Sequence, residues 1–351
     1  MLITLLRPVL LYAAFLGVLH PALAQEPRRW KDAELQPLAK SLAVYLDARA
    51  AGLGIEKAKT DLAASFEALR RASEGVDPLH QPLDLQRALA LTNDLSKVVV
   101  NKGKVSQDLY KDCSLDGAGL AFAYQLPKDY DPLQKVYPLI LAIPDENEAP
   151  AEHIRAQWIS REVQEGAILV AVQMPKNQGE WARVTVNGRA GGLSYVLTGL
   201  RMASERFAVD SDRIYVVGRG KGVPVAIAAG NYSPHRFAAI LGRAGDAGEI
   251  GPENFRNLPT WFAGGGARAT KFQEEAHSRA YDNCMLVPTG SEAELWAWIQ
   301  KHPRQTNPKT VTVAPGDPFP TFAYWMRIVF VSRSIVAVAR ALTAIGATRI
   351  Q

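Results

Sequence analysis

Apolar residues along this chain follow distinct rhythms in succession. Between Glu34 and Val100 they recur at intervals of three to four: Leu35, Leu38, Leu42, Tyr45 and Ala48, then Ile55, Leu62, Phe66 and Leu69, then more loosely Leu85, Leu89, Leu91 and Val98. That interval puts them on one face of a helix. Asp77-Pro78 and Gln81-Pro82 separate the second stripe from the third, since proline breaks both patterns. The pattern predicts a small helical bundle or hairpin whose apolar face needs a packing partner. No residue in it suggests chemistry.

Near Gly117 the rhythm changes. Leu120, Phe122, Tyr124 and Leu126 alternate with other residues, as in a half-buried strand. Continuous apolar runs follow, at Leu139–Ile143, Ile168–Val172, Ile214–Val217, Ala238–Leu241, Trp261–Ala263 and Met285–Val287, and each predicts a strand. Helices are predicted near 152–164, 192–207, 222–230, 269–280 and 291–300. Strands that are apolar throughout and alternate with helices predict an α/β domain, a mostly parallel sheet covered on both faces. Thr310 to Val331 reads as extended, and Ile335, Val338, Leu342 and Ile345 predict a last helix. Whether this tail completes the domain or stands apart is left open by the pattern.

The first residues have a different layout. Arg7 precedes an apolar run from Pro8 to Val18, and Ala22-Leu23-Ala24 offers small residues at the two positions that a signal peptidase reads. The expectation is a signal peptide over 1–24 and a mature chain starting at Gln25, exported to the periplasm or beyond. A membrane anchor is the competing reading, but the run is short of the roughly 20 apolar residues a span needs. The later stretch Ile328–Ile345 is interrupted by Arg333 and Arg340. The expected organisation is therefore signal peptide (1–24), helical segment (25–112), α/β domain (113–302) and a basic extended and helical tail (303–351).

Net charge changes this picture little. The formal value is +5, but the stretch from Lys301 onward carries +6, so the rest is close to neutral. That excludes a basic nucleic-acid footprint on the main body. No metal-ligand spacing is present and no cofactor motif is complete, so no cofactor is expected. Cys113 and Cys284 are the two cysteines. In an oxidising compartment they could pair, or each could be an apolar filler.

Candidate chemistry lies around Phe207-Ala208-Val209-Asp210-Ser211-Asp212-Arg213-Ile214-Tyr215-Val216-Val217-Gly218 and the following Arg219-Gly220-Lys221-Gly222. A helix end, an acidic turn and a strand lead into a glycine-rich turn, and Ser233-Pro234-His235-Arg236-Phe237-Ala238-Ala239 follows the next helix. This order resembles the α/β-hydrolase superfamily, and most of all its secreted esterases of the feruloyl-esterase, polyhydroxybutyrate-depolymerase and dienelactone-hydrolase kind. The resemblance covers about half the chain. It implies an α/β-hydrolase fold with a nucleophile elbow G-x-S-x-G at 218–222, a triad in the order Ser, acid, His, and an oxyanion hole completed from the loop after Leu139–Ile143.

At each of these places the residues depart from that pattern. Gly220 stands where the serine belongs, so no hydroxyl is present to be activated. Gly264-Gly265-Gly266-Ala267-Arg268, where the acid is expected, has no carboxylate, and Pro288-Thr289-Gly290-Ser291 has no histidine. Pro144-Asp145 begins the oxyanion loop with a residue lacking N–H and a carboxylate that opposes a developing oxyanion. The reading is a degenerate elbow (Gly218, Arg219, Gly220, Lys221, Gly222) and a degenerate oxyanion loop (Pro144, Asp145). Arg219, Lys221 and the helix start could instead hold an anionic ligand in the vestigial cleft. Trp158, Trp181 and Tyr195 are core residues or cleft lining. His235, His277 and His302 read as surface residues, and Ser194 and Ser291 are the candidates for a displaced nucleophile. Three functions follow: a non-catalytic binding or scaffolding protein of esterase-like fold, an active ester or peptide hydrolase with displaced residues, and a structural envelope protein.

Overall fold

The computed structural model describes residues 32–51, 53–72, 88, 91–92, 95, 98–110, 115, 119–132, 135–176, 181–314, 322–324, 326–327 and 339–342. The expected signal peptide and, of the third apolar stripe, Leu85 and Leu89 lie outside them. The chain divides into two compact units, Met1–Leu91 with Ala344–Gln351, and Thr92–Thr343.

In the first unit the two predicted stripes form helices α1 (Asp32–Ala51) and α2 (Ile55–Ala72). Leu35, Leu38, Leu69 and Ala88 are buried together, and Leu62, Phe66 and Leu91 pack against them. Pro37 lies in the second turn of α1, where it removes one intrahelical hydrogen bond. Arg70 and Arg71 in the last turn of α2 face the negative end of its dipole.

The second unit is built on one sheet. Its strands are β1 (Ser106–Tyr110), β2 (Leu120–Gln125), β3 (Tyr137–Ile143), β4 (Ile168–Val172), β5 (Val209–Arg219), β6 (Ala239–Arg243), β7 (Thr260–Ala263) and β8 (Cys284–Val287). They lie in the order β1-β2-β4-β3-β5-β6-β7-β8. β2 is antiparallel to β1 and β4, and all other pairings are parallel. Helices α3 (Pro150–Gln157), α4 (Arg161–Gly166), α5 (Gly192–Arg206), α6 (Val223–Tyr232), α7 (Ala267–Ser278) and α8 (Glu292–Ile299) connect them.

The uniformly apolar runs have a direct cause. Successive side chains of a strand point to opposite faces, and here both faces are covered. Leu139, Leu141, Ile143, Val170 and Val216 join a core that includes Leu193, Val196, Ala226 and Phe272 from α5, α6 and α7. Ile140, Ala142, Leu169, Ala171 and Val217 join another with Ile154, Val163, Leu295 and Ile299 from α3, α4 and α8. β3 and β4 are consequently buried at every position. Trp158 and Trp181 are core residues, 1% and 6% exposed, and the Trp181 indole donates to Pro175 O at 2.7 Å.

Several sequence expectations need correction. The boundaries at 113 and 302 both fall inside the second unit: β1 precedes the first, and strand β9 (Thr310–Val313) follows the second. β1 escaped notice because it is a polar edge strand, with only Tyr110 buried. The predicted helix 152–164 is two helices, parted at Trp158, whose backbone leaves the helical region. The final predicted helix is contradicted at β10 (Ala339–Leu342), a strand antiparallel to β9. Four residues spaced for a helix are weak evidence when an apolar strand, β9, has an edge to satisfy. The Cys113–Cys284 bridge is not formed: Cys284 is a free, buried thiol. It packs in the core with Phe272, Ala276 and Tyr281, and burial pushes its pKa up to about 11. Cys113 lies outside the described residues. Among the described residues no helix is long and apolar enough to cross a membrane, and no cluster of His, Cys, Asp and Glu is suited to a metal.

Candidate functional site: a self-filled elbow

β3 and β5 are parallel neighbours at the middle of the sheet, in a register that pairs Ile143 with Gly218. The residues that follow them therefore emerge side by side at the same edge: Pro144-Asp145 from one strand, Arg219-Gly220-Lys221 from the other. β5 runs into a single tight turn, Gly220–Gly222, and then directly into α6. Gly220 takes the left-handed conformation at φ +51°, which side chains resist. Gly222 allows a close approach to β3, since a Cβ there would come 2.6 Å from Ile143 O.

A mostly parallel sheet covered on both faces, with a strand, a strained turn and a helix at its centre, is the setting of a nucleophile elbow. The chain has the α/β-hydrolase fold. Neither a family model nor a curated protein matches the sequence. Solved structures that it is similar to include a thermostable esterase, at 17% identity and TM-score 0.46 over 57% of this chain and 64% of that one, hence under two thirds of its length. Others are a ferulic acid esterase (16%, 0.46, 57% of this chain and 96% of that chain) and an acetyl xylan esterase from Aspergillus awamori (13%, 0.41, 52% and 82%). Similarity of this degree carries no argument of its own; the fold assignment rests on sheet order and helix placement.

The space beside Gly220 in this turn is filled from another strand. A Cβ built on Gly220 would fall within bonding range of the Asp145 carboxylate. Asp145 Oδ1 accepts the N–H of Lys221 at 2.8 Å. That N–H, on the residue after the nucleophile position, is the oxyanion-hole donor in a working enzyme. The second donor is missing as well. Pro144 has no N–H, Asp145 N–H is given to Glu148 Oε2 at 3.1 Å, and Glu146 N–H to Asp145 Oδ1 at 2.8 Å. The loop consumes its own donors.

Glu148 holds this loop in place. Its Oε2 also meets His153 Nδ1 at 2.8 Å and lies 3.5 Å from the Arg219 guanidinium, which is 3.8 Å from Asp145 Oδ2. Glu148 N–H returns to Asp145 O at 3.2 Å, closing a turn with Asn147 at φ +61°. His153 is 2% exposed, and burial holds its pKa below the ordinary 6.5 against the pull of Glu148, with Arg219 and Arg243 adding to the depression. Arg243, paired in register with Arg219, is itself lowered by burial and donates to Gln157 O at 3.2 Å. Arg219 and Lys221 N–H, considered above as an anion site, are thus engaged by carboxylates of the chain itself.

The other stretches at which the sequence resemblance placed triad residues make structural contacts. Gly264 to Arg268 forms the entry to α7, and a carboxylate does reach it, from Asp246 after β6. Asp246 accepts from Ala247 N at 2.9 Å and Ala269 N at 2.7 Å, and so caps α7. Sequence reading missed Asp246 because it belongs to a different loop. Its only signal was an acid soon after an apolar strand. Ser291 caps α8 in a reciprocal pair with Glu294, and Ser194 Oγ donates to Val184 O at 2.5 Å. Both serines considered as displaced nucleophiles thus make structural hydrogen bonds. His302 stacks on Trp298 at 4.0 Å, His277 is exposed on α7, and His235 sits in the turn Pro234–Arg236. Tyr195 packs, partly buried, against the main core.

His153 makes the loop sensitive to pH. Below 6.5 the unfolded imidazole takes a proton that the folded one resists, so this group's contribution to stability is complete above 6.5 and declines as pH falls. The slope is at most about 1.4 kcal/mol per pH unit for one proton. Urea unfolding between pH 8 and 5 should show a shallower acid decline in His153→Gln than in the native protein; identical slopes would refute this account of His153.

Proposed function

We propose that this chain is an exported protein of esterase-like α/β-hydrolase fold that has given up ester hydrolysis and keeps the fold for binding or scaffolding. One observation carries the reading: the Asp145 carboxylate stands where a nucleophile's side chain would begin, hydrogen-bonded to the Lys221 N–H. Chemistry at this position needs a nucleophile, a base beside it and a free oxyanion donor. Gly220 supplies no nucleophile, Pro288–Ser291 no base, and the donor is taken. Enzymes that lose triad members alone can keep about 10³–10⁴-fold catalysis through the oxyanion hole and binding. A filled hole removes that remnant too. The Ser194 and Ser291 hydrogen bonds weigh against a hydrolase with displaced residues.

The test is fluorophosphonate labelling of the purified mature protein, with short-chain p-nitrophenyl ester hydrolysis measured beside it. The expected result is no labelling and no rate above buffer, for the native protein and for Gly220→Ser alike, since a new serine would meet Asp145 and find no base. Stoichiometric labelling of the native protein, with hydrolysis abolished in parallel, would refute the proposal. Export is tested separately: N-terminal sequencing of protein from the periplasm or medium should begin at Gln25, and an intact Met1 on a cytosolic product would contradict it.

A further inference from the structure

The loop between β4 and α5 carries a small hairpin of its own. Thr185–Val186 and Arg189–Ala190 pair antiparallel, and Asn187-Gly188 is the turn between them. Both turn residues are left-handed, at φ +50° and +77°, the geometry that makes Asn-Gly the favoured two-residue turn. The base of the hairpin is fixed, since Gly191 N–H donates to Val184 O at 2.8 Å and Ser194 Oγ to the same oxygen at 2.5 Å. Its tip meets solvent: Asn187, Gly188 and Arg189 are exposed, and a Cβ on Gly188 would touch nothing within 4 Å. Among the described residues neither the Asn187 side chain nor the Gly188 N–H has a hydrogen-bond partner.

We propose that Asn187 is a site of spontaneous covalent modification, where the turn converts itself through a succinimide to isoaspartate and aspartate. The Gly188 nitrogen gives its proton to solvent and attacks Asn187 Cγ. The N–Cγ bond forms, the Cγ–Nδ2 bond breaks, and ammonia leaves with a proton returned by solvent. Water then adds to either carbonyl of the ring. Attack at Cγ yields aspartate. Attack at the Asn187 main-chain carbonyl yields isoaspartate, with the chain routed through Cβ and Cγ. Both reacting groups are open: Gly188 has no side chain to shield its nitrogen, and that nitrogen is committed to no hydrogen bond. The other asparagines differ. Asn187 alone is followed by glycine. Asn147 is also left-handed, but the next N–H, on Glu148, donates to Asp145 O at 3.2 Å. Asn254, Asn257 and Asn283 donate through their side-chain amides to Asn231 Oδ1, Thr310 O and Phe255 O, at 2.7, 2.7 and 3.0 Å. Ring closure needs rotation about the Asn187 Cα–C bond, and the hairpin opposes it with two residue pairs alone. The product places a carboxylate between the exposed Arg183 and Arg189, and isoaspartate adds a methylene to a turn whose geometry depends on its length.

The test incubates the purified protein, and an end-capped synthetic peptide of residues 184–189, at 37 °C and pH 7.4 in oxygen-18 water. Trypsin in ordinary water then releases the same segment from the protein, by cleavage after Arg183 and Arg189, for chromatography and mass spectrometry. Heavy oxygen in the product marks conversion that preceded digestion. Native protein should give two labelled products, isoaspartate in excess of aspartate. Their rate of formation should be no less than about a tenth of the peptide's, and faster than at every other asparagine. Asn187→Gln, whose side chain would have to close a larger ring, should give none in the same time. The proposal is overturned if the folded protein converts at less than about a tenth of the peptide's rate, which would mean that the hairpin protects Asn187. It is equally overturned if another asparagine converts faster, or if Asn187→Gln converts as the native protein does.

Discussion

The parallel pairing of β3 with β5 governs everything at the centre of this molecule. With Ile143 beside Gly218, the two chains leave the sheet one residue apart in space, and whatever follows Ile143 must face whatever follows Gly218. In a working elbow that proximity lets the loop after β3 contribute an oxyanion donor. Here the same proximity delivers a carboxylate. Its arrival is compatible with the sheet only because Gly220 lacks a side chain, and glycine also removes the strain that a left-handed residue would bear. The glycine at 220 and the carboxylate beside it are therefore one structural feature seen from two strands.

The charges around the plug form a closed set. Two carboxylates, Asp145 and Glu148, face the Arg219 guanidinium, and a buried imidazole caps Glu148 from α3. Such a network holds one loop conformation more firmly than a single exposed pair, which would contribute little. Burial disfavours a proton on His153, with Arg219 and Arg243 adding to the effect, so the loop is held by a hydrogen bond to a neutral ring at neutral pH. The Lys221, Asp145 and Glu146 N–H groups are all given to carboxylates of the same loops.

How much of this could be read in advance depends on whether it was local. β3 and β4, buried on both faces, are apolar throughout, shorter apolar runs marked β5 to β8, and the glycine-rich turn at 218–222 suggested an elbow. β1 carries Ser, Gln and Asp on an exposed edge and gave no such signal. Gly220 and Asp145 were each legible as departures from a hydrolase pattern, but their contact was not, since it depends on strand register over more than seventy residues of intervening chain. Asp246 was invisible for the same reason: it belongs to one loop and acts on another. At β10, spacing that suits a helix gave way to backbone pairing with β9, a tertiary demand that local pattern cannot express.

The central claim is that Asp145 occupies the space a side chain at Gly220 would need. A double-mutant cycle measures that directly, using unfolding free energies of native protein, Gly220→Ala, Asp145→Gly and the double variant. Ala at a left-handed position costs roughly 1–2 kcal/mol by itself, and the collision with Asp145 should add about 1–3 kcal/mol of overpacking. The account predicts that Gly220→Ala is distinctly cheaper in the Asp145→Gly background, with a coupling of about 1 kcal/mol or more. Additivity within about 0.3 kcal/mol would contradict it.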